Sequence, residues 1–340
     1  MKIELLSPEG NYYKANLHCH TNLSDGKLSP EEVKETYKAK GYSAVCFTDH
    51  ELLLPHEDLN DEEFIALHGY EMAIKKDPFA STGAFMPVYH FNFIAEDQAA
   101  RIMPRCYVNS TSTYVNAKRL REELKPYDPN DTIEETKYEI DWINDYLEAV
   151  EKAGFLITYN HPQWSLQTAD DYLGLKHLHA IEVINGACSA MQDNTSLHYE
   201  RMLRSGMNVL PVGGDDNHVP VECGNAWTMI QAPELTYDAL ITAYKKGDCY
   251  ASEGPEIYEI SLEDDVITVK TSPATVIALR SEGRITPNFK DRSGSLTEVT
   301  FPYNPKRYGR FFRIEVRDAG GYRAYSRAYT AEEIEKRLHS

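Results

Sequence analysis

The feature that most constrains this chain is a short stretch at residues 16–26, in which one residue separates two histidines. A β-strand points alternate side chains to the same face, so His18 and His20 aim both imidazoles at one point. Asp25 follows just beyond the predicted strand and adds a carboxylate oxygen. Imidazole and carboxylate groups are ligands of zinc, manganese and iron. The stretch therefore predicts a metal site, although an isolated His-x-His pair is a weak signal.

The same pattern, an apolar strand-like run that ends in a metal-ligating side chain, recurs downstream. Four such runs lie at residues 42–50, 64–71, 155–162 and 208–218, and a fifth apolar run at 87–94 contains a histidine. Because the parallel strands of an α/β barrel end at one rim, side chains at these strand ends are expected to converge. The candidate site residues in these runs are Asp49, His50, Glu71, His90, His161, Asp215, Asp216 and His218.

Each of these residues also has a structural explanation. His90 in an apolar strand is typical of a hydrogen-bonded core histidine, and His161 before a proline suits a strand terminus. Asp215 and Asp216 follow two glycines and suit a turn, while Glu71 suits a buried partner for a cation. Six of the twelve histidines nevertheless lie in or just after strand-like runs. The structural explanation requires several independent coincidences, so the pattern favours a shared metal site.

With these residues identified, the chain resembles the PHP family, the polymerase and histidinol phosphatase domain of metal-dependent phosphoesterases. The family pattern is His-x-His with Ser-Asp-Gly, then Thr-Asp-His, a Glu, two separate His and a final Asp-x-His. The resemblance covers roughly residues 10–253. It implies an α/β fold, a distorted seven-stranded TIM-like β/α barrel, with up to three divalent metals. The matching ligand positions are His18, His20, Asp25, His50, Glu71, His90, His161, Asp216 and His218.

The resemblance also implies how the ligands are shared among the metals. In the implied sets, one metal is held by His18, His20 and Asp216. A second metal is held by His90 and His161, and Glu71 bridges the first and second metals. A third metal is held by Asp25, His50 and His218. Asp215 stands where the family more often has serine, and it is a candidate to orient a ligand imidazole through the free ring N–H. The candidate catalytic residues are Asp49, Asp215 and His218, of which Asp49 and His218 are candidate proton relays.

The charge of the chain limits its partners. The 340 residues carry a formal net charge of −18, which argues against general affinity for nucleic acid. The charge is uneven, because residues 271–340 hold 13 Lys or Arg against 8 Asp or Glu. Three divalent ions would make the metal pocket locally positive despite its carboxylates. We therefore expect a small phosphate ester as substrate, no long nucleic acid and no membrane partner, with the oligomeric state open.

The length suits a barrel at residues 1–253 followed by a smaller domain at 254–340. A capping box at Ser29 predicts a first helix, and further helices are predicted at 140–150 and 236–246, each followed by glycine. Beyond residue 254, alternating β-branched runs predict a small antiparallel β domain of unknown role that ends in a short helix.

A polar segment at residues 95–138 departs from the alternation of helices and strands. A long insertion at a catalytic rim is typical of a lid or a substrate-binding loop, and a solvated surface excursion is an equal alternative. In a lid, Arg101 or Arg105 would bind a phosphate with its planar guanidinium fork.

Cysteine usage and hydropathy indicate a cytoplasmic protein. The six cysteines form no Cys-x-x-Cys pair and several lie in predicted strands, which indicates buried reduced thiols. The first residues lack the apolar run of a signal peptide. No uninterrupted apolar run approaches the length of a membrane span.

The predicted reaction is metal-assisted hydrolysis of a phosphate ester by a hydroxide that bridges two metals about 3.5–4 Å apart. The same ligands would serve attack on carbon, so a hydrolase of carboxylic or carbamic esters is one alternative. A non-catalytic PHP scaffold is another. Gly213 and Gly214 lack the lysine of a P-loop, so cleavage of nucleoside triphosphates has no support. Zinc, iron and manganese all suit the histidine-rich ligand set.

Overall fold

The computed structural model describes residues 2–77, 85–108, 114–188 and 196–339. Within these ranges the protein is a mixed α/β structure, in which helices and strands alternate up to residue 252 and strands dominate afterwards. The predicted α/β class is therefore confirmed. Of the predicted insertion at 95–138, residues 109–113 lie outside the described ranges.

The elements are numbered in chain order. The strands of the first part are β1 Lys2–Leu6, β2 Asn11–Cys19, β3 Ala44–Phe47, β4 Ile65–Lys75, β5 Val88–Ala95, β6 Cys106–Tyr107, β7 Thr132–Ile133, β8 Phe155–Tyr159, β9 Ala180–Asn185, β10 Leu210–Gly214, β11 Trp227–Ala232 and β12 Cys249–Ser252. Those of the second part are β13 Ile257–Glu263, β14 Val266–Ala274, β15 Val276–Ser281, β16 Asn288–Lys290, β17 Leu296–Pro302, β18 Phe311–Arg317, β19 Arg323–Ser326 and β20 Tyr329–Thr330. The helices are α1 Pro30–Lys38, α2 Val115–Leu124, α3 Ile140–Lys152, α4 Ala169–Tyr172, α5 Leu197–Ser205, α6 Tyr237–Lys246, α7 Pro305–Tyr308 and α8 Ala331–Leu338.

Seven strands form a continuous path in the order β2, β3, β4, β5, β8, β9, β10. The pairs are parallel except those of β5, which runs antiparallel to both of its neighbours. The two end strands meet at their carboxyl ends, where Asp216 N donates to His18 O at 2.9 Å and Cys19 bridges to Asn217. Among the described strands no continuous ladder joins β2 to β10, so the pairing does not confirm a closed barrel.

The reversed direction of β5 explains how His90 reaches the same edge as Glu71. The sequence predicts that the strand carrying Glu71 ends there, but β4 continues to Lys75 and then pairs back with β5. The register places Ala73 opposite His90. Because β5 is antiparallel, its first residues lie at the edge where the parallel strands end. His90 therefore reaches this edge from the opposite direction.

Two glycines allow the strands at this edge to approach closely. A Cβ atom on Gly214 would lie 2.7 Å from Cβ of His18, and one on Gly213 would lie 2.6 Å from the carbonyl oxygen of Trp227. Any larger residue would push β10 away from β2 or β11. The glycine pair is therefore explained by packing.

The helices begin and end as the sequence predicts. Ser29 and Glu32 form the capping box of α1, with Pro30 at the first helical position. Glycines in the left-handed conformation follow α3 and α6, with φ +86° at Gly154 and +80° at Gly247. The terminal helix is α8, and the predicted antiparallel strands of the second part are present as β14, β15, β17 and β18.

The second part is joined to the first by strand pairing. β12 pairs with β19, so one sheet of fourteen strands runs across residue 253. β1 pairs with β13 in a separate four-stranded sheet, so residues 2–6 lie with the C-terminal strands. A pairing between the two ends of a chain leaves no local signal, so it is absent from the prediction of a barrel at residues 1–253. The division into two domains remains a prediction.

All six cysteines are buried and unpaired, as predicted. No helix in the described part of the chain combines the length and the apolar character that a membrane crossing requires.

We expect Gly214→Ala to lower the free energy of unfolding by about 1–3 kcal/mol, because the new Cβ overpacks the contact between β10 and His18. Chemical denaturation measures this change. Gly283→Ala is the matched control, because its Cβ would find its nearest neighbour at 3.6 Å. Equal stabilities of the two variants would contradict the packing role of Gly214.

Candidate metal centre

All nine predicted metal ligands lie in one cluster. In each of three groups, one ligand atom per residue lies within 4.8 Å of the others. Each group contains the residues expected around one of the three predicted metals, and His20 and Glu71 each belong to two of these groups. The groups are His18, His20, Glu71 and Asp216; Glu71, His90 and His161; and His20, Asp25, His50 and His218.

Glu71 lies at the centre of the cluster and is fully buried. Burial raises the pKa of its carboxyl, but the charges of the imidazoles, with His90 the largest, hold that pKa well below its ordinary value. The carboxylate is therefore an anion that requires positive charge around it. Five imidazole nitrogens lie 3.0–3.4 Å from its two oxygens, those of His18, His20, His50, His90 and His161.

Three buried atoms in the cluster make no hydrogen bond of normal geometry: Oε2 of Glu71 and the Nδ1 atoms of His20 and His50, although Oε2 of Glu71 and Nδ1 of His50 lie 3.1 Å apart. A buried polar atom without a partner costs about 1–3 kcal/mol. All three atoms are of types that bind divalent transition metals. The residues present therefore fit metal ions. Coordination to a metal would satisfy the three atoms that hydrogen bonds do not.

The group around Asp25 is the most open part of the cluster. Oδ2 of Asp25 lies 3.3 Å from Nε2 of His218 and 3.6 Å from Nε2 of His50. Burial raises the pKa of Asp25, but the hydrogen bond with His218 and the charge of His50 lower it to about 2. Nδ1 of His218 lies 2.9 Å from the carbonyl oxygen of Asp216. Since a carbonyl only accepts, this nitrogen donates and Nε2 is left for a metal.

Two ligand positions have left-handed backbone conformations that are unusual for residues other than glycine. His161 has φ +23° and Asp216 has φ +49°, and each is the second residue after a strand, β8 and β10 respectively. Such conformations cost of order 1–3 kcal/mol each and concentrate at functional sites. Here they turn the chain sharply at the strand end, where the two side chains join the cluster.

Glu182 belongs to the site and was missed by the sequence analysis. Its Oε1 lies 3.0 Å from Nδ1 of His18, and its Oε2 accepts from Nδ2 of Asn185 at 2.9 Å. Because a carboxylate accepts, Nδ1 of His18 donates and Nε2 faces the cluster. The available signal was an acidic residue in the middle of the apolar run that became the buried strand β9.

Asp215 does not orient a ligand imidazole in the described contacts, which corrects the sequence analysis. Its carboxylate accepts from the hydroxyl of Tyr37 at 2.8 Å and from the backbone N–H groups of Gly224, Asn225 and Ala226. Burial raises the pKa of Asp215 to about 6, although these hydrogen bonds oppose the rise. Its contacts anchor the end of β10 to the following loop, and Glu182 has the orienting position instead.

Asp49 holds the loop between His20 and Asp25. Its carboxylate accepts from the backbone N–H of Thr21 at 2.8 Å, from the Thr21 hydroxyl at 2.7 Å and from the Ser24 hydroxyl at 2.5 Å. These contacts fix the turn that carries Asp25 into the cluster. Proton transfer by Asp49 stays a prediction.

None of the described contacts joins Arg101 or Arg105 to the cluster. The Arg101 guanidinium donates to Glu57 at 2.6 Å and to two carbonyl groups of its own loop. Arg105 has a left-handed backbone, and its N–H donates to Asp131 at 3.0 Å. Phosphate binding by these arginines stays a prediction.

The insertion nevertheless reaches the cluster through another residue. The Tyr114 ring, just before α2, stacks on the His50 imidazole with 3.9 Å between ring centroids and 6° between planes. The helix is held there by a buried ion pair in which Arg121 donates to Glu51 at 3.0 Å. These contacts place one residue of the insertion against the cluster, and a lid or substrate loop at 95–138 stays a prediction.

A second aromatic ring stands at the edge of the cluster. Trp164 is 47% exposed, and its ring centroid lies 5.0 Å from that of His161 and 5.5 Å from that of His90. An exposed tryptophan beside two candidate ligands offers a flat apolar wall at the opening.

A comparison of the sequence with known protein families gives a match that covers most of the candidate ligands. The PHP domain family matches residues 16–203, which is more than half of the chain. The chain belongs to the PHP domain family. The match begins just before His18 and includes the predicted ligand positions as far as His161, while Asp216 and His218 lie beyond its end. No curated protein matches the chain.

Several solved structures show limited similarity to this PHP chain. A two-domain protein from Bacteroides vulgatus containing a predicted PHP-like metal-dependent phosphoesterase is 16% identical, with 97% of this chain and 98% of that chain covered and a TM-score of 0.44. An amidohydrolase from Chromobacterium violaceum is 17% identical, with 69% of this chain and 96% of that chain covered and a TM-score of 0.37. A lesion-specific endonuclease from Pyrococcus furiosus is 17% identical, with 69% of this chain and 56% of that chain covered and a TM-score of 0.38. The family assignment rests on the sequence match.

We expect Glu71→Gln to lose at least one metal equivalent per chain, because a neutral amide replaces the anion that five imidazoles surround. Elemental analysis of the folded protein measures the content. Glu151→Gln is the control, since Glu151 pairs only with the partly exposed His177 in the described contacts. Unchanged metal content in Glu71→Gln would contradict the central position of this carboxylate.

We expect Glu182→Gln to weaken metal binding by about 10–100-fold, because the amide is a poorer acceptor for Nδ1 of His18. Competition with a chelating dye of known affinity measures the change. Glu148→Gln, at an exposed position of α3, is the control with the same change of charge. A wild-type affinity for Glu182→Gln would show that Glu182 does not orient His18.

Proposed function

We propose that this PHP protein is a metal-dependent phosphoesterase that hydrolyses a small phosphate ester. The single observation that carries the proposal is the convergence of nine ligand side chains around three buried atoms without hydrogen-bond partners. Hydrogen bonding leaves these three atoms unsatisfied, and the set as a whole matches the ligand chemistry of divalent metals. Membership of the PHP family supports the phosphoesterase class.

The bound metals would supply an activated water and neutralise charge on the phosphate oxygens. The chain's own contribution is to hold the ions with anionic carboxylates and oriented imidazoles. Zinc, iron or manganese fits the ligand chemistry. The proposed ligands are His18, His20 and Asp216 for one ion, Glu71, His90 and His161 for a second, and Asp25, His50 and His218 for a third.

His218 is the most exposed of the proposed ligand imidazoles and marks the open side of the cluster. Its side chain is 35% exposed, whereas the other ligand imidazoles are almost fully buried. Tyr114 and Trp164 lie beside the same cluster and would exclude water from it when an ester is bound. We assign His218 to the open side, where the leaving group departs.

The finer features of the fold are also part of the proposal. The contacts between Cys19 and Asn217 support a seven-stranded barrel that closes at its carboxyl rim. The separate sheet formed by β1, β13, β14 and β17 supports a C-terminal unit that begins near residue 254 and includes residues 2–6.

We expect the metal-loaded protein to hydrolyse phosphomonoesters or phosphodiesters in a substrate panel that also contains carboxylic and carbamic esters. Chelation abolishes the activity, and zinc, iron or manganese restores it. Asp216→Asn should lose the activity by orders of magnitude while remaining folded, and Glu151→Gln should retain it.

The same panel contains the results that would overturn the proposal. Hydrolysis of carbon esters alone would move the reaction to carbon, and equal rates for stripped and reconstituted protein would remove the metal mechanism. The double variant Arg101→Ala, Arg105→Ala tests phosphate binding by the insertion, because an unchanged KM would contradict it.

A further inference from the structure

A second site lies in the C-terminal part of the chain. A cavity of about 380 Å³ opens on one face of the antiparallel strands β15, β16, β18 and β19. It is lined by four cationic side chains and one carboxylate, so its formal charge is strongly positive. The charged lining residues are Arg280, Lys290, Arg317, Arg323 and Glu315. The protein as a whole carries −18, so this face has the opposite sign to the rest of the molecule.

The sheet register places these cations directly opposite one another. Arg280 of β15 pairs with Arg313 of β18, and Arg317 of β18 pairs with Arg323 of β19. Like charges directly opposite each other across a sheet are destabilising. Two such pairs on one face therefore require counter-charges, from the protein or from a ligand.

The protein supplies counter-charges for the first pair. Arg313 forms a buried ion pair with Glu200 of α5. Arg280 lies 3.6 Å from Glu200 and 3.8 Å from Glu315. The repulsion between Arg280 and Arg313 is thereby offset within the fold.

The carboxylates that offset the first pair do not form ion pairs with the cations on the other side of the cavity. No carboxylate in the described ranges lies within ion-pair distance of Lys290 or Arg317. The acids on the adjoining surface, Asp291 and Asp318, accept hydrogen bonds within their own turns, from Ser293 and from the backbone of Tyr322. Two cations at the cavity are therefore available to an anion.

A buried guanidinium lies behind the wall of the cavity. Arg313 is fully buried, and its Nη1 has no hydrogen-bond partner. The same guanidinium donates to Ser196 at 2.9 Å and to Glu315 at 3.4 Å, both of which line the cavity. Arg313 does not itself line the cavity, and these two hydrogen bonds hold Ser196 and Glu315 in place at its wall.

We propose that this cavity binds an oligophosphate ester, a small organic ligand with three or four negative charges such as a nucleoside diphosphate. Its volume is in the range of small-molecule sites. Arginine forks match the geometry of phosphate oxygens. Tyr325, Val276 and Ala278 add uncharged surface for an organic group. This site is independent of the metal cluster and of the reaction proposed there.

The test compares ligand binding by the full metal-loaded chain and its variants, using calorimetry at fixed ionic strength. The probes are pyrophosphate, tripolyphosphate, a nucleoside diphosphate and a single-stranded oligonucleotide. The test variant is Lys290→Gln, Arg317→Gln, and the control is Lys306→Gln, an exposed lysine of α7 outside the cavity. Thermal unfolding checks that all variants fold.

We expect the double variant to bind the nucleoside diphosphate at least tenfold more weakly, because two charge-assisted contacts are lost. Lys306→Gln should bind as the wild type does. Both variants should hydrolyse a phosphomonoester at the wild-type rate, since neither change touches the metal cluster. Stronger binding of the nucleoside diphosphate than of pyrophosphate supports an organic ligand, and equal binding supports recognition of the phosphates alone.

Three results would overturn the proposal. One is binding that Asp216→Asn removes and the double variant leaves unchanged, which would place the anion at the metal cluster. Another is binding of the oligonucleotide alone, which would make the basic face a nucleic-acid surface. The third is no measurable binding of any probe by the wild type.

Discussion

The metal centre depends on one buried carboxylate surrounded by imidazoles. Glu71 has no exposed surface, and five ring nitrogens lie within 3.4 Å of its oxygens. A buried anion is stable only when positive charge is held close to it. Protons on the imidazoles or metal ions between them can provide that charge, and only metal ions also use the atoms that lack hydrogen bonds. The electrostatics of one side chain thus accounts for the five imidazoles around it.

The strand arrangement brings this chemistry together from distant parts of the chain. Parallel strands end at one edge, and the ligands after β8 and β10 sit on left-handed residues that turn the chain at that edge. Gly214 lets β10 approach His18 closely. The antiparallel strand β5 contributes His90 from its first residues. A sheet with one reversed strand therefore concentrates more ligands at the same edge than strand ends alone would supply.

The sequence predicted best what depends on local chemistry. Alternation in a strand placed His18 and His20 on one face, and the capping box at Ser29 specified the start of a helix. Features that depend on distant pairing were missed. The ladder between β1 and β13 joins the two ends of the chain, and Glu182 looked like an ordinary strand residue until its partner was known. The direction of β5 also has no local signal, because the sequence pattern of a buried strand does not depend on whether it runs parallel or antiparallel to its neighbours.

The ring of Tyr114 has a consequence for how ions reach the site. It lies flat on the His50 imidazole, and the ion pair between Arg121 and Glu51 keeps the following helix in place. A cation bound at His50 is therefore shielded from water on that side. The neighbouring His218 remains open. Ions that bind at or leave this position would pass His218. The metal recovered with the protein would therefore depend on how fast ions exchange through that opening, as well as on the affinity of the ligands for each metal.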